Sequence, residues 1–216
     1  RKPCSKIVLV QPQHIDRVAD RFCLAFEPSI AFFTPVTQKV RAAIRDLFYL
    51  LYRVFGQSFF VAMENEDVCG YIVMADDVKK LWLHAIISGF VIKATISALS
   101  GKYGLRFSTL YKIVKNKLLY FRFEMTTEAT AQVLSIAVHP EHQGKGIGQK
   151  LLARGLRHME ALGVKKIKLE VRPNNISALK IYEKYRFRRV GETEDLQGKW
   201  LIMVRENCHN ENNVVI

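Results

Sequence analysis

The first third of the chain combines two spacings of apolar residues, one typical of helices and one typical of strands. Apolar residues at every third or fourth position predict amphipathic helices, whereas short apolar runs bounded by polar residues predict strands. The elements predicted in this way are a strand over 6–10, helices over 13–26 and 37–55, and a strand hairpin over 58–63 and 68–74. Pro28 and Pro35 bracket the segment between the helices, which we expect to be a loop.

The last part of the chain alternates strand and helix patterns. The predicted elements are a buried strand over 131–138, a helix over 146–162, a strand over 166–171, a helix over 175–185, and strands over 188–192 and 200–205. Residues 207–216 are polar and are expected to form a tail. The order of elements predicts a single mixed α/β domain over 1–206.

Residues 78–123 differ in composition from the rest of the chain. This segment holds nine lysine and arginine residues and no aspartate or glutamate, so it carries nine of the net thirteen positive charges. Apolar spacing predicts one helix over 81–100, a break at Gly101 and Gly104, and a second helix over 108–121. We interpret 78–123 as a basic helical insertion within the domain.

The net charge of +13 over 216 residues favours anionic partners: phosphates, nucleic acid or a membrane surface. No nucleic-acid-binding module is recognised, which makes nucleic acid the least favoured of the three. The four cysteines are far apart and form no CxxC pair, which argues against a zinc site or a disulfide framework and favours a reduced, cytoplasmic protein. No signal peptide is seen, and the sequence begins at Arg1 rather than at a methionine.

A glycine-rich junction between the strand 131–138 and the helix 146–162 carries the clearest chemical signal. The strand ends at His139-Pro140, and Gln143-Gly-Lys-Gly-Ile-Gly148 leads directly into the helix. Main-chain N–H groups at such a helix N-terminus bind phosphate. The spacing fits neither a Walker loop nor the dinucleotide fingerprint GxGxxG. A tight turn without a ligand remains the alternative.

Two segments of the chain resemble signatures of the GNAT superfamily of N-acetyltransferases. Gln143, Gly146 and Gly148 match its acyl-CoA-binding pattern Gln/Arg-x-x-Gly-x-Gly/Ala. Downstream, Asn175-Ile-Ser-Ala-Leu-Lys-Ile-Tyr182-Glu-Lys-Tyr-Arg-Phe187 is similar to the pattern Asn-x-x-Ala-x-x-x-Tyr-x-x-x-Gly-Phe. Two signatures in register are more specific than either one alone.

The resemblance implies a fold, a co-substrate and a set of binding residues. It is specific over 133–190, looser over 6–74 and absent from 78–123. The implied fold is a mixed, mostly antiparallel central sheet with flanking helices, and the implied co-substrate is acetyl-CoA, with no metal. The residues implied to bind it are Ile136 and Val138 through the strand main chain, Gln143, Gly144, Lys145, Gly146, Ile147, Gly148 and Gln149 around the pyrophosphate, and Asn175.

Tyr182 matches the family tyrosine that protonates the departing sulfur. A phenol pKa near 10 is close to that of a thiol, so this proton transfer is feasible. The alternative is a tyrosine packed in the core. Asn175 is implied to contact the cofactor or to cap its helix, and the two are compatible.

The general base is not identified, because Gln132 stands near the place where some family members have a glutamate, and an amide cannot accept a proton. Glu124, Glu128 and His139 lie nearby, and a chain of water molecules is a further alternative. Arg186 also departs from the pattern, which has glycine before Phe187. A glycine there permits a left-handed turn, so Arg186 implies a different backbone or local strain.

The acceptor is the least defined part of the prediction. We expect an N-acetyltransferase acting on a primary amine, which would be anionic if the basic insertion selects the substrate. The insertion also gives two other expectations, docking at an anionic membrane surface or simple packing on the domain with solvated charges. The alternative to an enzyme is a non-catalytic acyl-CoA-binding module that uses the insertion to reach a membrane or a partner.

Overall fold

The structure is a computed structural model that describes residues 6–104, 109 and 131–207. Its strands are β1 (Lys6–Leu9), β2 (Phe59–Glu64), β3 (Asp67–Ala75), β4 (Ala131–Val138), β5 (Lys166–Val171), β6 (Arg188–Asp195) and β7 (Gly198–Glu206). They form one seven-stranded sheet in the order β1-β2-β3-β4-β5-β7-β6. This mixed, mostly antiparallel sheet with flanking helices confirms the predicted fold class.

The helices of the described residues lie on both sides of this sheet. They are α1 (Ile15–Ala25), α2 (Glu27–Ala31), α3 (Gln38–Phe55), α4 (Val78–Ile87), α5 (Phe90–Leu99), α6 (Ile147–Ala161) and α7 (Ile176–Lys184). Thr37 caps α3 by accepting a hydrogen bond from Val40 N, and Asn175 caps α7 by accepting one from Ala178 N.

The sheet opens between β4 and β5, which are its parallel pair. Their pairing is limited to Ala131 opposite Ile167 and Gln132 opposite Lys168. The two strands therefore diverge beyond Gln132, and the rest of β4 no longer lies against β5.

A β-bulge lies on β4 just after this point. Val73 of β3 lies opposite Ser135 and Met74 lies opposite Val133, so Leu134 is an extra residue on β4. A bulge of this kind bends the strand that carries it. The bend and the short β4–β5 pairing together create a gap in the middle of the sheet.

Two hydrophobic clusters cover the opposite faces of the sheet. One contains Leu151 and Leu156 of α6, Tyr182 of α7, and inward residues of β5 and β7. The other contains residues of α1 and α3 packed on β2 and β3. Helix α6 lies so close to the sheet that a Cβ at Gly155 would stand only 2.4 Å from the Met74 sulfur. Only a residue without a side chain fits at this position.

Two of the predicted elements differ in the structure. The segment between Pro28 and Pro35, expected to be a loop, contains helix α2, because proline is well tolerated in the first turn of a helix. The single helix predicted over 81–100 is two helices, because Gly89 adopts the left-handed conformation with φ of 68°. The second predicted insertion helix, over 108–121, and the tail lie outside the described residues, apart from Thr109 and Asn207.

Helices α4 and α5 form a hairpin that is fixed on α3. The Tyr103 hydroxyl donates a hydrogen bond to Asp46 Oδ2 at 3.0 Å, and Lys102 Nζ lies 3.2 Å from the same oxygen. Lys39 Nζ also donates a hydrogen bond to the Gly101 carbonyl at 3.3 Å. Among the described helices, none has the length and hydropathy needed to cross a membrane.

Candidate functional site

The glycine loop ends β4 and begins α6, as the sequence predicted. Gly144 and Gly146 have φ of 74° and 76°, a left-handed conformation that is strained for other residues. A Cβ at either position would meet no atom within 4 Å, so these glycines are needed for backbone shape and leave open space above the loop. Gln143 Nε2 donates a hydrogen bond to the Val138 carbonyl at 3.1 Å, which ties the loop to the end of its strand.

The first turn of α6 presents main-chain N–H groups to this open space. Gly146 is the N-cap, and the Lys150 N–H is bonded to its carbonyl, so the amides of Ile147, Gly148 and Gln149 precede the regular hydrogen-bond ladder. The positive end of the helix dipole lies at the same place. Lys145 and Lys150 are both exposed beside it.

Two of the predicted loop residues have structural contacts as well. The Ile147 side chain is buried in the core under the loop, so only its main chain is available to a ligand. Gln149 Oε1 accepts a hydrogen bond from Lys184 Nζ at 3.2 Å, and its carbonyl accepts one from the Tyr185 hydroxyl at 3.3 Å. These contacts join the start of α6 to the end of α7.

A cavity of about 650 Å³ lies at the gap between β4 and β5. The sequence-predicted residues that line it are Gln132, Ile136, Asn175 and Tyr182. The glycine loop is not part of its lining. Because each strand residue advances about 3.3 Å, the Val138 end of β4 lies about 13 Å from the bulge at Leu134. An extended ligand with its anionic end at the loop would therefore run along β4 into the cavity.

Tyr182 reaches the cavity from α7. The residue is 7% exposed, and its ring packs against Phe187 with ring centroids 5.9 Å apart. Burial raises the pKa of Tyr182 to about 12, because the phenolate would be poorly solvated there. The hydroxyl is therefore protonated at neutral pH, and it is a weaker acid than the free phenol with a pKa near 10 on which the sequence argument relied. Tyr182 thus packs in the core and also lines the cavity, and its role as the proton donor stays a prediction.

Glu170 is a cavity residue that the sequence interpretation missed. It lies on β5 between Leu169 and Val171, which both pack in the cluster of α6 and α7, so Glu170 points to the opposite face of the sheet. Its side chain is 12% exposed, and its Oε1 lies 3.3 Å from Nζ of the buried Lys168. The strand alternation Lys-Ile-Lys-Leu-Glu-Val is the sequence signal that places Lys168 and Glu170 on one face.

Of the other base candidates, His139 is described and does not line the cavity. His139 Nδ1 accepts a hydrogen bond from the Glu141 N–H at 3.3 Å, beyond the end of β4. Glu124 and Glu128 lie outside the described residues. His139, Glu141 and His142 together place potential metal-ligand atoms within 4.8 Å of one another, but this group belongs to the loop before α6 and not to the cavity.

Arg172, Asp195 and Trp200 close one end of the cavity. Arg172 Nη2 donates to both carboxylate oxygens of Asp195 at 3.1 Å, and its guanidinium lies 3.9 Å from the Trp200 ring centroid. Asp195 also accepts a hydrogen bond from Trp200 Nε1 at 2.9 Å. Gln197 Nε2 donates to the Ser29 carbonyl at 3.0 Å and so fixes the β6–β7 turn on α2.

Asn175 and Arg186 mark the two ends of α7. Asn175 caps the helix through Oδ1 and also lines the cavity, so both sequence interpretations of this residue remain open. Arg186 has φ of 65°, in the left-handed region. The turn that glycine permits is thus kept in this chain, with strain at Arg186 as its cost.

This combination of a split sheet, a glycine loop at a helix N-terminus and a buried tyrosine agrees with the family suggested by the sequence. The model of the Acetyltransferase (GNAT) family matches residues 27–187, which is more than half of the chain. The chain therefore belongs to the GNAT family of acetyltransferases.

Individual relatives match shorter parts of the chain. A mycothiol acetyltransferase of Saccharopolyspora erythraea is 37% identical over 62 residues, which cover 29% of this chain and 20% of that protein. A ribosomal protein bS18-alanine N-acetyltransferase of Haemophilus influenzae is 33% identical over 96 residues, covering 44% of this chain and 65% of that protein. The chain thus spans less than two thirds of the length of these relatives.

A solved structure gives the same fold over nearly the whole chain. The yncA protein of Salmonella typhimurium, whose structure was determined with its cofactor acetyl-CoA, has a TM-score of 0.57. Its sequence is 13% identical, and the match covers 97% of this chain and 98% of that one. At this identity the likeness shows the fold alone.

Proposed function

We propose that this protein transfers an acetyl group from acetyl-CoA to a primary amine. The observation that carries the proposal is the cavity at the β4–β5 gap, which Glu170 and Tyr182 both line. The family membership and the names of two relatives, a mycothiol acetyltransferase and a ribosomal protein bS18-alanine N-acetyltransferase, support the same chemistry.

The glycine loop is the proposed site of the CoA pyrophosphate. The amides of Ile147, Gly148 and Gln149, the positive end of the α6 dipole and the open space above Gly144 and Gly146 fit an anion that approaches the backbone closely. Lys145 and Lys150 add positive charge nearby. The main chain of Ile136 and Val138 then faces the pantetheine arm along the part of β4 that has left β5.

Acetyl-CoA supplies the reactive thioester, and the protein supplies the proton transfers. Glu170 accepts the proton that the attacking amine loses as the N–C bond forms. Tyr182 donates its hydroxyl proton to the sulfur as the C–S bond breaks. Main-chain N–H groups near the bulge at Leu134 donate hydrogen bonds to the thioester oxygen, where negative charge develops.

Amine-dependent thiol release tests this function directly. The purified chain is given acetyl-CoA and a panel of amino acids, polyamines, amino sugars, peptides and alkylamines. Turnover with at least one amine supports the proposal. If acetyl-CoA raises the melting temperature but no amine is acetylated, the non-catalytic binding module is the better description. If acetyl-CoA neither binds nor is consumed, both descriptions fail.

We also infer that the α4–α5 hairpin docks on an anionic membrane surface. Leu83, Ile86, Ile87, Ile92 and Ile96 are each between 60% and 75% exposed, an apolar concentration unusual for a solvated surface. Lys79 and Lys93 are exposed on the same two helices, and no acidic residue occurs over 78–104. Each helix has ten residues, or about 15 Å, so the hairpin would lie at the interface of a bilayer with a core of about 30 Å.

Vesicle co-sedimentation tests this docking. We expect the chain to bind phosphatidylserine-containing vesicles, to bind neutral phosphatidylcholine vesicles more weakly, and to be released by salt. Ile87→Glu should abolish binding, whereas Leu162→Glu, at a residue 53% exposed at the end of α6, should not. Absence of binding would contradict membrane docking. Self-association that Ile87→Glu removes would show that a second copy of the chain covers this face.

A further inference from the structure

The cavity is much larger than an acetyl group requires. A volume of about 650 Å³ is typical of sites that hold a drug-sized ligand. Its wall on the side of α1, α2 and α3 is apolar and aromatic, and includes Phe22, Phe26, Phe33, Ile44 and Leu47. The unfilled part of the cavity must therefore match a second, apolar group.

The charged residues that line the cavity leave little positive charge available to bind an anionic ligand. Among the described residues that line it, Arg172 is the one cation. Its guanidinium is already held by both oxygens of Asp195 and by the Trp200 ring, and it also donates to the Gly198 carbonyl at 2.9 Å. A phosphate or carboxylate of an acceptor would have to compete with these contacts. Glu170 is in turn paired with the buried Lys168, so the described residues that line the cavity offer an anionic acceptor no cation that is not already engaged.

The position of Glu170 indicates that the amine acceptor occupies the apolar part of the cavity. Glu170 points to the face of the sheet that α1 and α3 cover, while Tyr182 belongs to the cluster on the other face. The amine must lie beside Glu170 to lose its proton, so the remainder of the acceptor extends toward Phe33, Ile44 and Leu47. The Gln197–Ser29 hydrogen bond holds the far wall in place.

We propose that the acceptor is a primary amine attached to a bulky apolar group, such as an aromatic or alkyl chain. This inference rests on the proposed acetyltransferase function and adds the class of its substrate. It replaces the anionic acceptor that the basic insertion had led us to expect, because the insertion's described residues are not part of the cavity lining.

A series of linear alkylamines from propylamine to hexylamine provides the test, with acetyl-CoA held constant. Each added methylene buried in an apolar site should raise kcat/KM by about fourfold. β-Alanine and phosphoethanolamine, which carry an anionic group, should be poor acceptors. A flat series, or a preference for the anionic amines, would overturn the inference while leaving the acetyltransferase function intact. No turnover with any amine would instead count against the function itself.

Variants at a matched pair of leucines distinguish an effect on acceptor binding in the cavity from an effect on the general stability of the protein. Leu47 lines the cavity and Leu24 does not, yet each is 41% exposed on a helix of the same face. Leu47→Ala should lower kcat/KM for hexylamine by about five- to tenfold with little change for propylamine. Leu24→Ala should change neither. Equal effects of the two variants would contradict the assignment.

The acyl chain of the acyl-CoA is the alternative ligand for the apolar part of the cavity. If the cavity holds it, octanoyl-CoA should be used in preference to acetyl-CoA with propylamine as acceptor, and Leu47→Ala should weaken octanoyl-CoA. If the cavity holds the acceptor, acetyl-CoA should be preferred and hexylamine should compete with octanoyl-CoA for the site. A preference for octanoyl-CoA would therefore overturn the inference.

Discussion

Glu170 and Tyr182 line one cavity from opposite faces of the same sheet. Tyr182 packs with Phe187 in the cluster beneath α6 and α7, whereas Glu170 alternates away from that cluster toward α1 and α3. They line the same cavity because β4 and β5 separate after two paired positions. The carboxylate that we propose as the proton acceptor and the hydroxyl that we propose as the proton donor therefore line one cavity from its two sides.

Removal of the carboxylate of Glu170 should stop turnover without removing the cofactor. We expect Glu170→Gln to lower kcat by about 10²- to 10⁴-fold, since a positioned general base contributes on this scale. Acetyl-CoA affinity, measured by calorimetry, should stay close to that of the parent protein. Glu183→Gln, at an exposed carboxylate on α7, is the control and should retain full activity. Full activity in Glu170→Gln would exclude this residue as the base.

The buried hydroxyl of Tyr182 should make stability depend on alkaline pH. Its pKa is about 12 in the folded protein and about 10 in an unfolded chain, so the folded state keeps a proton that the unfolded state loses. Its contribution to stability is complete below about pH 10 and is lost as the pH rises toward about 12. The size is about 2–3 kcal/mol.

Tyr182→Phe has no such proton to lose. Urea unfolding of both proteins from about pH 8 to about pH 12 should show the stability of the parent falling relative to Tyr182→Phe, by the amount given above. The same variant should lose turnover but retain acetyl-CoA binding. Parallel stability curves would mean that the phenol is better solvated than its burial indicates.

A carboxylate introduced into the glycine loop should weaken the binding of acetyl-CoA. Gly146→Asp places a negative charge in the open space where the pyrophosphate is proposed to bind, and it adds strain at a positive φ. We expect acetyl-CoA affinity to fall at least about a hundredfold, because juxtaposed like charges cost several kcal/mol. Gly101→Asp is a matched control, since Gly101 has φ of 73° and equally open surroundings. Similar loss in both variants would point to unfolding rather than to a blocked site.

Arg186 should be replaceable by glycine with a gain in stability. Its left-handed backbone costs about 1–2 kcal/mol, part of which the greater freedom of unfolded glycine offsets. Arg186→Gly should therefore stabilise the protein by about 0.5–1 kcal/mol in urea unfolding. Arg188→Gly removes the same side chain from an extended residue of β6 and should destabilise by a similar amount. A loss of stability in Arg186→Gly would show that the arginine side chain has a compensating contact.

The sequence predicted those features that depend on local pattern. The glycine loop, the cap at Asn175 and the strand over 131–138 all follow from residues adjacent in the chain. Glu170 was missed because its importance depends on the separation of β4 from β5, which no local pattern contains. The break at Gly89 was missed because an isolated glycine is tolerated within a helix, so the apolar spacing over 81–100 was read as continuous.

The hydrogen bond from Gln197 to Ser29 joins residues that are 168 positions apart. During synthesis, α2 leaves the ribosome long before the turn that will cover it. Strand β7, which must insert between β5 and β6, follows that turn in the chain and is synthesised after the other strands of the sheet. Contacts between distant parts of a chain form slowly. The nascent protein would thus carry an uncovered aromatic surface around Phe33 until β6 and β7 have been synthesised, and the cavity would be completed only then.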